Sequence, residues 1–105
     1  MTVVRIEGNT EWKCVCAKGG NWVAVCDALG LTIQSETWAA LMEDIAHALN
    51  AMFTDLLESK QLGQFFHERG WRPVDQIPSK PDDIWFDVPI IARPTTDRDL
   101  QVALR

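Results

Sequence analysis

The sequence lacks the features that define several large classes of protein. It has 105 residues, with no tyrosine, two histidines and three cysteines. Its longest apolar stretches are far shorter than the ~20 residues that span a bilayer. Residues 1–8 lack the long apolar segment and the small-residue cleavage site of a signal peptide. We therefore expect a cytoplasmic protein that is neither secreted nor inserted in a membrane.

Cysteine is too scarce and too irregularly spaced for a disulfide scaffold, so reduced thiols are the simplest interpretation. Together with His47 and His67, the residues Cys14, Cys16 and Cys26 offer the ligand types that zinc prefers. However, side chains at Cys14 and Cys16 on one strand lie about 6.6 Å apart, which is too wide for two thiolates on one ion. We therefore predict small buried residues, with no metal and no cofactor.

Basic residues are also scarce. Ten lysines and arginines stand against 15 aspartates and glutamates, so the net charge at pH 7 is −5. A large nucleic-acid footprint needs a basic field, so we do not expect this chain alone to bind nucleic acid. Residues 36–61 hold one lysine and five acidic residues. Such a segment attracts basic partners, although charged helix faces are usually just solvated. The five are Glu36, Glu43, Asp44, Asp55 and Glu58.

No constellation of residues predicts catalysis. A ribonuclease H needs clustered carboxylates that hold metal ions. The candidates are Asp27, Glu43, Asp44, Asp55 and Asp87. Turn chemistry explains Asp27 fully, and only Asp87 lies near the centre of a predicted strand. No base has a spacing that would make a cysteine a nucleophile. We therefore predict that the protein is not an enzyme and has no catalytic residues.

Three short segments, residues 11–17, 22–26 and 31–34, have the alternation or the apolar run of β-strands. Glycine-containing turns at 18–21 and 27–30 connect them. This spacing predicts a three-stranded antiparallel meander. Its middle strand, residues 22–26, is apolar at every position, which is typical of a strand that is central or covered on both faces.

The middle of the chain predicts two helices. Residues 37–59 carry apolar side chains at steps of three and four, with polar residues such as Asn50 on the opposite side. The hydroxyl of Thr37 is the expected N-cap. Residues 61–69 predict a short second helix that ends at Gly70, where left-handed backbone geometry is favoured.

The remaining segments are less regular. Residues 2–6 predict a short strand or an ordered arm, and the proline-rich residues 71–83 predict an extended loop. Residues 84–93 predict a closing strand in which Pro89 marks an edge, a bulge or a strand end. Residues 94–105 predict a polar tail.

Together these elements predict an α+β fold. A three-stranded antiparallel meander plus a closing strand packs on one long amphipathic helix, and the second helix is short. We expect one domain over residues 1–105, with its core in about residues 11–93.

The segment WVAVCDALGLTIQSETWAAL, residues 22–41, followed by IAHAL at 45–49, resembles the HicB-like antitoxin family. The motif of that family runs from a strand through P-x-L-x-G-x-x-x-x-G-x-T into an alanine-rich amphipathic helix. Gly30 matches the turn glycine, and Thr37 matches the threonine that opens the helix. The resemblance covers about residues 11–58.

The resemblance implies a partial ribonuclease-H-like β-β-β-α-β domain that is not an enzyme. Such domains bind and neutralise a small basic ribonuclease toxin, and they often self-associate, so a homodimer is expected. Cys26 and Ser35 stand where the family often has proline and glycine. Many members append a DNA-binding domain, and the predicted tail 94–105 is too short for one. The alternative is an orphan domain of this kind that binds RNA or a ligand, or that self-assembles as a scaffold.

Five tryptophans are unusual for this length. We predict that Trp12 and Trp22 pack beneath the helix and that Trp38 covers the edge of the sheet. The other two, Trp71 and Trp85, lie near arginine and proline in the sequence. Tryptophan and arginine are favoured anchors at protein interfaces, and they also stack on unpaired bases. Core packing is the simpler explanation for each tryptophan. The predicted partner-binding residues are Trp71, Arg72 and Trp85.

Overall fold

The computed structural model describes residues 1–78 and 83–95. It is a mixed α+β structure in which these residues form two helices and seven strands, which confirms the predicted fold class. In chain order the elements are β1 (Thr2–Glu7), β2 (Thr10–Cys16), β3 (Trp22–Cys26), β4 (Leu31–Ser35), α1 (Trp38–Glu58), α2 (Leu62–Arg69), β5 (Arg72–Pro73), β6 (Ile84–Asp87) and β7 (Ile90–Thr95).

The chain forms two compact units. The first unit comprises Met1–Asn9 and Ala46–Pro89. The second unit comprises Thr10–Ile45 and the described residues from Ile90 onward. Helix α1 therefore contributes its first eight residues to the second unit and the remainder to the first. The expectation of a single domain over residues 1–105 stays a prediction.

The second unit is built on a four-stranded sheet with the order β4-β3-β2-β7. Strands β2, β3 and β4 pair antiparallel in sequence order, which confirms the predicted meander. Strand β3 is a central strand, which explains its apolar composition. Gly19 and Gly20 have φ of 97° and 90° in the first turn, where residues with a Cβ are disfavoured. Buried apolar side chains in this unit are Trp12, Cys14, Ala24, Cys26, Leu41 and Ile45.

The predicted closing strand is two strands. Strand β7 pairs parallel with β2, with Thr10 opposite Ile90, and so closes the sheet of the second unit. Strand β6 joins a different sheet in the first unit. The break falls at Val88 and Pro89, and Pro89 has no N–H to continue a ladder. A strand end at Pro89 was one of the three predicted alternatives. The local pattern did not predict that the two halves join different sheets, because both are apolar enough to suggest one strand.

The first unit is built on a three-stranded sheet with the order β5-β1-β6. Strand β1, predicted as a strand or an arm, is the central strand. It pairs parallel with β6 and antiparallel with the two-residue β5. Strand β5 lies within residues 71–83, which were predicted as an extended loop. It was not predicted because two residues are too few to show a period. Residues 79–82 of that loop lie outside the described residues, as do residues 96–105 of the predicted tail.

An aromatic cluster fills the first unit. Phe53 of α1 meets the rings of Phe65, Phe66, Trp71 and Phe86 at centroid distances of 5.4 to 6.5 Å, all close to edge-to-face. Edge-to-face pairs gain electrostatic energy beyond the area that they bury. The cluster joins α1, α2 and β6 into one core. Buried aliphatic side chains of this unit include Val4, Ile6, Leu49 and Leu62.

The helix ends agree with the predicted caps. The N–H of Ala40 donates to Thr37 Oγ1 at 3.1 Å, so Thr37 is the N-cap of α1. Helix α2 ends at Gly70, whose φ is 68°. The N–H groups of Gly70 and Trp71 donate to the carbonyls of His67 and Phe66, which is the Schellman arrangement.

Candidate interaction surfaces

The three predicted partner-binding residues all lie in the first unit, but they do not form one cluster. Trp71 is half-buried, and its ring contacts Phe53, Phe65 and Phe66. The same ring lies so close to Gly8 that a Cβ there would be 2.5 Å from Trp71 Cγ. The indole of Trp71 therefore packs between Gly8 and the aromatic cluster. Whether its exposed part also binds a partner stays a prediction.

Arg72 and Trp85 lie on the opposite side of the three-stranded sheet. Along β1, Val4 and Ile6 are buried, whereas Val3, Arg5 and Glu7 are exposed, as strand alternation requires. The register places Trp85 beside Val3, Asp87 beside Arg5 and Arg72 beside Glu7. The N–H of Val74 donates to the Arg5 carbonyl, so Val74 follows in the same register. We call this surface the outer face: Val3, Arg5, Glu7, Arg72, Val74, Trp85 and Asp87.

The charges of the outer face are balanced. Arg72 Nε lies 2.6 Å from Glu7 Oε2, and Arg5 Nε lies 3.9 Å from Asp87 Oδ2. All four side chains are more than half exposed, so water screens both pairs and each adds little to folding stability. The two cations and two anions leave the face without net charge.

His47 shields Trp85 on one side. The imidazole of His47 and the indole of Trp85 meet edge to face, with ring centroids 5.4 Å apart and an interplanar angle of 80°. His47 itself is exposed on α1, and Trp85 remains half-buried. The Trp85 indole therefore packs against a side chain of α1.

Helix α1 carries four exposed carboxylates, in contrast to the balanced sheet. Glu43 and Asp44 belong to the second unit, and Asp55 and Glu58 belong to the first. Asp44 accepts a hydrogen bond from Ser35 Oγ, but none of the four is ion-paired with a cation in the described part of the chain. By comparison, the carboxylates that face arginines are Glu7, Glu11, Glu68 and Asp87.

Two of these carboxylates lie at the C-terminal end of the helix, where negative charge is unfavourable. Asp55 and Glu58 are in the last turn of α1, which has no basic residue. Free carbonyl groups give a helix C-terminus a partial negative charge, so carboxylates there are electrostatically unfavourable. Neither charge is therefore stabilised by the helix dipole or by an ion pair in the described part of the chain.

The residues considered for metal binding are dispersed. Cys14 and Cys26 are buried, as predicted, but Cys16 is exposed, so the prediction of a buried residue is wrong at Cys16. All three are free thiols. Burial raises the pKa of the Cys14 thiol above its ordinary 9.0, which keeps it protonated at neutral pH. Within residues 1–78 and 83–95, no three His, Cys, Asp or Glu side chains are placed to hold a metal ion.

The candidate catalytic carboxylates are placed as follows. Asp27 begins the turn that Gly30 closes, with a Gly30 N–H to Asp27 carbonyl distance of 3.3 Å. Asp87 is paired with Arg5 on the outer face. The remaining candidates, Glu43, Asp44 and Asp55, are exposed on α1.

An open cleft of about 320 Å³ lies in the first unit, where α1 gives way to α2. Sequence reasoning did not identify it. Its polar side chains satisfy each other in part, since Gln64 Nε2 donates to Glu68 Oε1 at 3.1 Å. The lining residues are Leu56, Gln61, Gln64, Phe65 and Glu68.

Comparisons of this chain with protein-family models, with curated proteins and with solved structures find no significant match. Within the described residues, no helix combines the length and the hydropathy needed to cross a membrane.

Proposed function

We propose that this chain is a HicB-like antitoxin-type protein that binds and neutralises a small basic ribonuclease toxin. It acts in the cytoplasm by binding rather than by catalysis, and it does not bind nucleic acid alone. The observation that carries the proposal is the set of exposed carboxylates on α1 that lack a cationic partner among the described residues. Asp55 and Glu58 oppose the helix dipole, so a cationic partner gives them a role that folding does not.

The second unit supports the resemblance on which the proposal rests. Its elements follow the order β2, β3, β4, the start of α1 and then β7, which is the β-β-β-α-β order that the resemblance implies. Gly30 has a φ of 66° in its turn, and Thr37 caps the helix. These are the two motif residues that match the family. The sheet of the first unit lies outside that pattern.

The proposed mechanism is occlusion. A ribonuclease must expose a basic surface to hold RNA, and a partner with unpaired carboxylates competes for that surface. Charge complementarity accelerates the encounter, and apolar contacts then provide most of the affinity. Because exposed charges are screened, the association rate is expected to fall as the salt concentration rises.

The test is a purification of the carboxy-terminally tagged chain from its native host, with and without ribonuclease treatment. Capture of a small basic protein that stays bound after ribonuclease treatment would support the proposal. Recovery of RNA-dependent partners only, or of the chain alone, would overturn it.

A variant in which two carboxylates of α1 are replaced by neutral amides makes the test specific to this helix. The double variant Asp55→Asn, Glu58→Gln should lose the basic partner, and its thermal midpoint should rise because the helix dipole is no longer opposed. The control is Asp75→Asn with Glu36→Gln, two exposed carboxylates outside the helices. It changes the net charge equally, and it should retain the partner. Equal loss of the partner in both variants would point to net charge alone and would contradict a role for α1.

The alternative is that the chain is a self-assembling module without a toxin. Self-assembly is favoured by the composition of the outer face, which has exposed valines and no net charge. In that case the purification would recover the chain itself and no basic protein.

A further inference from the structure

Within the described residues, the edge strands of the two sheets are β5, β6, β4 and β7, and three of them are protected against a further strand. Strand β5 has two residues, one of which is Pro73. Strand β7 contains Arg93 and Pro94, and a charged side chain and a proline both hinder the extension of a sheet. At β6, the side-chain amide of Asn50 accepts from the Phe86 N–H at 2.6 Å and donates to the Phe86 carbonyl at 3.0 Å. The backbone groups of Phe86 are therefore occupied.

Strand β4 lacks any such protection. It comprises 5 residues, Leu31–Ser35, with no proline and no charged side chain. In the part of the chain that the structure describes, β3 is its one neighbour, so the backbone groups on its other side have no strand to pair with. We infer that this edge binds an extended segment of another protein, which adds a strand to the sheet of the second unit.

The side chains of β4 indicate the pattern of the segment. Leu31 and Ile33 are half-buried on one face of the strand, and Thr32 and Gln34 are exposed on the other. An added strand sets its alternate side chains beside these two pairs, because successive residues of a strand point to opposite faces. Apolar residues of the segment would cover Leu31 and Ile33, and its polar residues would lie beside Thr32 and Gln34.

Carboxylates at both ends of β4 indicate the charge of the segment. Exposed Asp27 lies in the turn before the strand, and exposed Glu36 follows it directly. Asp44 accepts a hydrogen bond from Ser35 Oγ, which holds a further carboxylate at the end of the strand. None of the three is ion-paired with a cation in the described residues. A segment with a basic residue at each end is therefore the complementary ligand.

The same charges disfavour a second copy of this chain at the edge. Antiparallel pairing of β4 with itself about a two-fold axis would bring Glu36 of each copy towards the turn that holds Asp27 of the other. Like charges would then meet at both ends of the paired strands. The inference goes beyond the proposed toxin binding and does not depend on it, because it rests on the backbone of β4 and not on Asp55 or Glu58.

A titration of the ¹⁵N-labelled whole chain with synthetic peptides, followed by nuclear magnetic resonance, tests the inference. The probe is the end-blocked peptide Lys-Val-Thr-Val-Thr-Val-Lys, which has alternating side chains and basic ends. Saturable shift changes should be centred on the amides of Leu31–Ser35, and hydrogen exchange of β4 should slow as its free N–H groups become bonded. The peptide Glu-Val-Thr-Val-Thr-Val-Glu should bind about tenfold more weakly, because its ends meet like charges. The peptide Lys-Val-Pro-Val-Pro-Val-Lys keeps the charge but loses strand N–H groups, and it should not bind.

Absence of saturable binding, shift changes centred away from β4, or equal affinity for the threonine and proline peptides would each overturn the inference. Shifts of the β4 amides that depend on protein concentration without peptide would assign the edge to a second copy and would overturn it as well.

A pair of variants tests the role of the flanking carboxylates. Asp27→Asn with Glu36→Gln should bring the affinities for the lysine and glutamate peptides to within about threefold of each other. The control, Asp55→Asn with Asp75→Asn, removes the same net charge from the first unit and should keep the full preference. The amide spectra show whether each variant is folded. An equal loss of preference in both folded variants would assign it to net charge and would contradict recognition of basic ends at β4.

Discussion

The side-chain amide of Asn50 takes the place of a neighbouring strand for Phe86. It accepts from the Phe86 N–H and donates to the Phe86 carbonyl, and it also donates to the Ala46 carbonyl within α1. Strand β6 is an edge strand, and both Asn50 and Phe86 are buried. Without the amide, two polar backbone groups would be buried with no partner.

Replacement of Asn50 should therefore be costly. Asn50→Ala is expected to lower the free energy of unfolding by roughly 2–4 kcal/mol, because it leaves the N–H and the carbonyl of Phe86 unsatisfied. Asn50→Asp keeps the acceptor but sets a carboxylate oxygen against the Phe86 carbonyl, so it should be destabilising as well. Urea unfolding measures both effects. Wild-type stability in Asn50→Ala would show that the two hydrogen bonds are not important for folding.

Gly8 has no room for a side chain. A Cβ there would lie 2.5 Å from Trp71 Cγ, so Gly8→Ala must displace the indole from the aromatic cluster. We expect a loss of about 1–3 kcal/mol. Gly63→Ala is the matched control, because a Cβ at Gly63 meets nothing within 4 Å. That change lies in α2 and should be neutral or slightly stabilising. Equal thermal midpoints for the two variants would contradict this account.

Lys60, two residues after the end of α1, has a backbone conformation that favours glycine. Its φ is 60°, and the N–H groups of Lys60 and Gln61 donate to the carbonyls of Leu57 and Leu56. Since a side chain in left-handed geometry costs about 1 kcal/mol, Lys60→Gly should stabilise the protein by up to that amount. Lys60→Ala removes the same positive charge but keeps the strain, so it should not be stabilising. Chemical denaturation of both variants separates backbone strain from charge.

The three thiols should differ in reactivity. Cys16 is exposed and should react with a water-soluble thiol reagent in the native protein. Cys14 and Cys26 are buried and should react only after denaturation. Cys16→Ser should abolish the fast reaction, and rapid labelling of more than one thiol in the folded wild type would contradict the burial of the other two.

The raised pKa of Cys14 has a consequence at alkaline pH. Above the ordinary pKa of 9.0, the unfolded thiol loses its proton while the buried Cys14 keeps it. The folded state then binds more protons than the unfolded state, so the stability falls as the pH rises. Cys14→Ala should flatten this part of the stability profile, as measured by denaturation from pH 8 upward. An equal slope in the variant would assign the loss to another group.

The local elements of this chain could be predicted because their signals are local. The apolar period of α1, the hydroxyl of Thr37 and the position of Gly70 each act within a few residues, and the structure confirms all three. The meander was predictable for the same reason, since glycine-containing turns connect strands that are neighbours in the sequence. The resemblance to the HicB-like family and the function that it implies stay predictions.

The candidate surface was predictable only in part. Arg72 and Trp85 were identified by residue type, and the register of β1 shows that they share one face. Trp71 is a residue of the same type, yet it contacts the aromatic cluster on the other side. Residue type indicates which side chains suit an interface. It cannot tell which side of a sheet they occupy when the sheet itself is assembled from distant segments.

The sequence by itself determined the α+β class, the two helices with their caps, and the strands joined by short turns. Each of these depends on periodicity or on a single residue that satisfies a nearby backbone group. Only the tertiary structure decided that β1 pairs with β6 and that Asn50, which the helical pattern placed on the polar side, is buried against Phe86. Such contacts join residues that are far apart in the chain. The strands contribute backbone N–H and carbonyl groups to them, and these groups are the same at nearly every position, so they leave no pattern in the sequence.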